Sequence, residues 1–510
     1  MYRSSALTAA VLSLAASSVL AQISPAKLQS TGFNSSFTLT PSQIESAGLS
    51  GTVATSFENV IRFERSQLAN GGPYEDDFYA LPPLSNSSDS LKPGVLLKVQ
   101  PFTNASSFTL APNTALSRIL YTTTDFNGTV IPASAFVLWP FTPRQFNKKP
   151  SREARGQKAL GDDNSTNKPA TSAPVVLWTH GTSGFFPSAA PSTNRNLWYG
   201  NAAPFTLALA GYAVVAPDYA GLGVRGSWDG SKIPHQYLAS PAGAHDALYA
   251  LRAAWAAFPG RLSEEYVVMG HSQGGGVAWG TAELLGEFAG GDDVSRGYLG
   301  AIAASPTTDL FAGSSPIVVA WVGMALRSIF PDFDPAAWLT PAGAARMALY
   351  RAVEGQVGAW QQLALGADAV QTVRDDYYTA TWHAGAYAAL ANAGRKAFRG
   401  PLMVLQGTAD VYIPYEVTSA TVEATCAEVE GDLEYVVVNG TGHVPTLDAA
   451  RQIWLRWIEE RFEGKPVERS GCVRTDVQSF LPLDRYQATG TWFEQWAGAG
   501  EYSYQTILGL

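Results

Sequence analysis

Six short apolar runs, most of them leading through a turn into a helical pattern, constrain this chain more than any other feature. They fall at residues 175–179, 212–216, 266–269, 299–304, 402–406 and 435–438. Runs without polar alternation must be buried on both faces, which a parallel sheet covered by helices on both sides provides. Helical patterns follow at 241–258 and 447–462, and in the second Ala450, Ile453, Trp454, Trp457 and Ile458 share one apolar stripe. Residues 95–99, 117–122 and 133–139 also read as β-segments, the last two joined by an Asn127-Gly128 turn. The expected class is α/β, a mostly parallel sheet with helices on both faces.

One interval breaks the rhythm. Roughly 95 residues separate the fourth run from the fifth, more than a crossover needs. They are rich in aromatics (Trp321, Phe330, Phe333, Trp338, Trp360, Tyr377, Tyr378, Trp382, Tyr387). An inserted, mainly helical cap over the carboxyl ends of the strands accounts for both properties. Most of these rings should form the cap's own core, and about a third should face a substrate. The chain divides accordingly: 1–21 a signal peptide, 22–90 an N-terminal pre-region with a helix near 57–68, and 91–305 the first part of the core, holding a flexible insertion at 141–172. Then come 306–398 as cap, 399–470 as the second part of the core and 471–510 as a C-terminal extension.

Residues 1–21 combine Arg3, an apolar stretch and the small-residue site Val19-Leu20-Ala21, the pattern of an export signal. The sequons at Asn34, Asn86, Asn104, Asn127, Asn164 and Asn439 fit a secreted glycoprotein. Two cysteines, Cys426 and Cys472, pair as one disulfide in that compartment; the alternative is two separate buried thiols. No run is long enough to span a bilayer. A net charge of −9 argues against nucleic acid as a partner. The basic stretch 144–158 reads as a solvated part of the insertion, with proteolytic processing as the sharper alternative.

The third run leads into Gly270-His271-Ser272-Gln273-Gly274 and then a helix of small and apolar residues. A G-x-S-x-G between strand and helix holds its serine in a strained turn, oxygen exposed above the sheet. A serine hydroxyl becomes a nucleophile only when an oriented base takes its proton. In this arrangement acid and base follow the serine at the ends of later strands. Asp410 lies just past the fifth run and His443 just past the sixth, before the last helix. Asp368, Asp375, Asp376 and Asp432 follow core strands less directly. Two N–H donors should hold the oxyanion: that of Gln273, and that of Gly181 or Thr182 in the loop after the first run. His180 should shape that loop, His271 should pack beneath the turn, and Asp218 should accept backbone hydrogen bonds. His235, His245 and His383 lack ligand spacing, so no metal is expected, and no glycine-rich fingerprint calls for a cofactor.

These features resemble the α/β-hydrolase superfamily, and within it the fungal secretory lipases of the Candida antarctica lipase A type. The resemblance rests also on Glu75-Asp76-Asp77-Phe78-Tyr79-Ala80-Leu81-Pro82, on Leu120-Tyr121-Thr122 through Phe136-Val137-Leu138-Trp139-Pro140, and on Asp410-Val411-Tyr412-Ile413-Pro414-Tyr415. Cys426 and Cys472 fall where that family's late disulfide would. The Gly-His-Ser-Gln-Gly elbow and His180-Gly181-Thr182 loop look more like general esterases of the superfamily, and the 141–172 insertion has no counterpart. The resemblance implies an α/β-hydrolase fold and a secreted serine ester hydrolase, lipase or esterase, acting at Ser272, His443 and Asp410. A small-molecule or lipid ester is the implied substrate, with a lipid–water interface as a partner. Triacylglycerol lipase, deacylase of a small secondary metabolite, peptidase or amidase, and acyltransferase stay open as activities. A binding protein on the same fold would be expected to lack a triad member.

Overall fold

The computed structural model describes residues 36–84, 92–146, 172–287, 293–313, 316–366 and 368–486. The signal peptide at 1–21, residues 147–171 of the 141–172 insertion and the sequons at Asn34, Asn86 and Asn164 lie outside the described residues. Ten strands form one sheet: β1 (Leu96–Gln100), β2 (Ala115–Thr124), β3 (Val130–Trp139), β4 (Ala173–Thr179), β5 (Ala213–Pro217), β6 (Leu262–His271), β7 (Tyr298–Ala304), β8 (Leu402–Gly407), β9 (Leu433–Val438) and β10 (Cys472–Val477). Their order is β1-β2-β3-β5-β4-β6-β7-β8-β9-β10. Pairing is antiparallel from β1 to β5 across β2 and β3, then parallel throughout.

The principal helices are α1 (Gly51–Ser66), α2 (Pro204–Leu209), α3 (Ser240–Ala257), α4 (Gln273–Glu287), α5 (Pro316–Ile329), α6 (Pro341–Val353), α7 (Val357–Leu365), α8 (His383–Ala391), α9 (Tyr415–Glu428) and α10 (Arg451–Phe462). Strands buried on both faces need two cores. One packs α3, α4 and α9 on the sheet through Ala250, Leu251, Trp279 and Val422. The other packs α2 and α10 on the opposite face through Phe205, Trp454, Trp457 and Ile458. Each such side chain removed from water is worth about 1.5–3 kcal/mol. This doubly covered, mostly parallel sheet is the architecture that the apolar runs imply.

Four details depart from the sequence reading. α1 begins six residues before position 57, because Ser50 caps it by accepting the Val53 N–H at 3.3 Å. The pattern at 447–462 is two helices, Pro445–Ala449 and α10, separated at Ala450. The C-terminal extension is not outside the sheet: its β10 pairs in parallel with β9 and is tied to α9 by the Cys426–Cys472 disulfide. The helical residues between β7 and β8 do not bury themselves alone. Trp321, Trp338, Tyr350 and Trp360 share a core with Val53, Phe57, Val60 and Ile61 of α1. Of the nine rings named above, Trp321, Phe333, Trp338, Trp360 and Tyr387 are buried, and Tyr378 and Trp382 are exposed.

Candidate active site

β6 ends at His271 and α4 starts at Gln273, so Ser272 alone makes the turn between them. It does so with φ of +60°, a left-handed conformation that costs a non-glycine residue about 1–2 kcal/mol. Its N–H donates to Ala304 at the end of β7 (2.9 Å), and its carbonyl accepts the Gly276 N–H (3.1 Å). A Cβ at Gly270 would lie 2.0 Å from the Gly274 oxygen, across the turn. At Gly274 the obstacle is different: Cβ would lie 2.0 Å from the Thr179 oxygen and 2.6 Å from that of His180, so β4 excludes it rather than the turn's other limb.

Asp410 and His443 stand in the loops after β8 and β9. His443 Nδ1 lies 2.7 Å from Asp410 Oδ2. A carboxylate only accepts, so Nδ1–H donates and Nε2 is left as the acceptor. The N–H groups of Tyr412 (2.9 Å) and Ile413 (3.0 Å) donate to Asp410 Oδ1, and Gln406 Nε2 to Oδ2 (3.2 Å). Burial would raise the Asp410 pKa, but the neighbouring His443 and these donors outweigh it and hold it below the ordinary value. Among the described residues no hydrogen bond joins Ser272 Oγ to His443. His271, the chain neighbour of Ser272, has its ring centroid 4.5 Å from that of His443. Such contacts are commonly long in a free site and tighten with substrate.

The 180–184 loop follows β4, which pairs with β6, so it lies directly beside the elbow. Gly181 packs against Tyr199, whose Oη would sit 2.1 Å from a Cβ there. Thr182 Oγ1 pairs with Tyr237 Oη at 2.9 Å. The Gln273 N–H opens α4 and has no intrahelical acceptor, a donor free for an anion. The Gln273 side-chain amide is 3.1 Å from His235 Nε2. Burial pushes His235 down to about 3 and His180 down to about 4, so both rings are neutral near pH 7. His180 stacks on Tyr219 at 4.3 Å. Asp218 accepts one backbone N–H, that of Ser192, and the hydroxyls of Ser134 and Ser192. His271 bonds Tyr199 and the His443 carbonyl, more than packing beneath a turn.

The remaining candidates stand apart from this cluster. Asp376 is exposed and paired with Arg374 at 2.8 Å, and Asp375 accepts from Gln371. Asp368 and Asp432 hold the N–H groups of Ser50 and Gly471. Asn104, Asn127 and Asn439 are exposed. Among the described residues no three His, Cys, Asp or Glu side chains gather as a metal site. Tyr199, His235 and Tyr237 were not foreseen; each reaches the site only through tertiary contacts that leave no local pattern.

The model of the alpha/beta hydrolase family matches residues 175–454, just over half of the chain. The chain belongs to the alpha/beta hydrolase family. Candida antarctica lipase A in its closed state shares the fold at a TM-score of 0.56, with 16% identity over 79% of this chain and 90% of that one. A second structure of that lipase gives 0.56, with 15% identity over 80% and 90%. A putative hydrolase from Legionella pneumophila gives 0.55, with 15% identity over 73% of this chain and all of that one. No curated protein sequence matches significantly. No helix among the described residues is long and apolar enough to cross a membrane.

Proposed function

We propose that this family member is a secreted serine hydrolase that cleaves carboxylic esters through an acyl-enzyme. The observation that carries the reading is the His443–Asp410 hydrogen bond, set beside a serine held in a strained strand-to-helix turn. Ser272 Oγ attacks the ester carbonyl while His443 Nε2 takes its proton. Asp410 fixes the tautomer and stabilises the imidazolium. The oxyanion is held by the Gln273 N–H and by that of Gly181 or Thr182. His443 returns the proton to the departing alcohol, then activates a water that releases the acid. Phe185, Tyr237 and Trp321 pack on one another in one apolar cluster beside Thr182.

The lipase A fold match favours an ester over an amide, and Asp375 and Asp376, the acidic pair that a substrate amine would need, are engaged by Gln371 and Arg374. Export is supported by the disulfide and by the exposed sequons at Asn104, Asn127 and Asn439. Turnover of p-nitrophenyl esters from acetate to palmitate, with and without an oil interface, against p-nitroanilides tests the reading. Faster hydrolysis of anilides than of every ester would overturn it.

A further inference from the structure

His271 has no part in the chemistry above, yet it touches the loop that carries the base. The residue is fully buried at the end of β6. Its Nε2 lies 3.1 Å from the main-chain oxygen of His443, and its Nδ1 lies 2.6 Å from Tyr199 Oη. A carbonyl only accepts, so Nε2 carries the proton. Burial, and then the adjacent His443, push the His271 pKa down to about 3, so the ring is neutral and Nδ1 accepts from the Tyr199 hydroxyl. The titratable groups around the ring are Tyr199, His443 and, beyond it, Asp410. The hydrogen bonds therefore run one way, from Tyr199 through His271 to the His443 carbonyl.

The following helix does not use that carbonyl. Thr446 N–H donates to Gly442 (3.2 Å) and Leu447 N–H to Val444 (3.0 Å), so the helical bonds pass on either side of it. Ser305 Oγ, at the end of β7, also approaches it, at 3.5 Å. The loop before it is Gly440-Thr441-Gly442, with Gly440 at φ of +74°, and Asp410 holds the imidazole only at Nδ1. A ring fixed at one atom still swings when its main chain moves. We propose that Tyr199 and His271 are positioning residues that hold the His443 main chain, keeping Nε2 aimed at Ser272. The proposal rests on the Ser272–His443–Asp410 reading.

The test compares His271→Leu, His271→Gln and Tyr199→Phe with wild type, using p-nitrophenyl butyrate kinetics normalised by fluorophosphonate titration of competent sites. A 1 Å displacement of a reacting group costs about 100-fold. His271→Leu should therefore lower kcat per titrated site about 10- to 100-fold, with KM within roughly twofold. His271→Gln, whose amide can still donate to the carbonyl, should recover much of the loss. Tyr199→Phe, which removes one hydroxyl, should lower kcat per site severalfold and carries the test if His271→Leu does not fold. Wild-type kcat per titrated site in both Tyr199→Phe and His271→Leu, or in Tyr199→Phe alone where His271→Leu does not fold, would overturn the proposal. So would a loss in His271→Leu confined to the number of competent sites. Failure of the underlying triad is distinct: wild type itself would then not be titrated by the probe.

Discussion

Gly274→Ala tests the elbow's geometry with a single methyl. The added carbon would sit 2.0 Å from the Thr179 oxygen and 2.6 Å from the His180 oxygen. Both are main-chain atoms at the buried end of β4, so neither can rotate away. Restoring ordinary contact requires β4 and α4 to part by roughly 1 Å. Overpacking of this kind costs about 1–3 kcal/mol, and the upper end applies where backbone opposes backbone. The same movement carries the Gln273 N–H away from the position proposed for the oxyanion, and losing one such donor costs about 100- to 1,000-fold in kcat. Gly128→Ala is the control: nothing lies within 4 Å of its added carbon, and only the strain of φ +82° is felt. Kinetics on p-nitrophenyl butyrate, with melting curves, should show Gly274→Ala folded but at least about 100-fold slower, and Gly128→Ala with wild-type kcat. A Gly274→Ala enzyme within threefold of wild type would refute the reasoning.

Asp410→Asn should lower kcat about 10,000-fold, because an amide can present its NH2 to Nδ1 and favour the wrong tautomer; a tenfold effect would remove Asp410 from its role. Cys472→Ser opens a loop of 46 residues and should cost about 4 kcal/mol on the chain-entropy model, seen in urea unfolding. Its kcat should hold, since β10 lies at the sheet edge beyond β9, and a matching loss of activity would contradict that placement. Glu64 accepts the N–H groups of Gln356 and Ala359, both at 2.8 Å, and burial raises it from 4.5 to about 7. A raised acid pKa means that the folded state holds the proton more tightly. The contribution is thus full below about pH 4.5 and fades as pH rises to about 7. Glu64→Gln should flatten stability over that window, and an unchanged slope in urea unfolding between pH 4.5 and 7.5 would exclude Glu64 as its source.

The parallel sheet was readable in the chain because its central strands are buried on both faces and therefore apolar at every position. Asp410 and His443 were readable for a related reason: each follows such a strand directly, where side chains converge above the sheet. β10 escaped notice because it is an edge strand whose residues alternate between exposed and half-buried, so Cys472-Val473-Arg474-Thr475-Asp476-Val477 reads as polar loop. The joint core of α1 and the helices between β7 and β8 was equally hidden. Phe57 and Trp360 are each apolar locally, but nothing in either segment names a partner some 300 residues away. The role of His271 was missed because its spacing is that of any elbow residue, whereas its bonds reach residues 72 positions before it and 172 after.

Intact-mass analysis after exposure to a fluorophosphonate tests the central claim most directly. Wild-type protein should gain one adduct, mapped by peptide sequencing to Ser272, and Ser272→Ala should gain none while keeping the wild-type melting curve. An adduct on another residue, or labelling that survives in Ser272→Ala, would contradict the account.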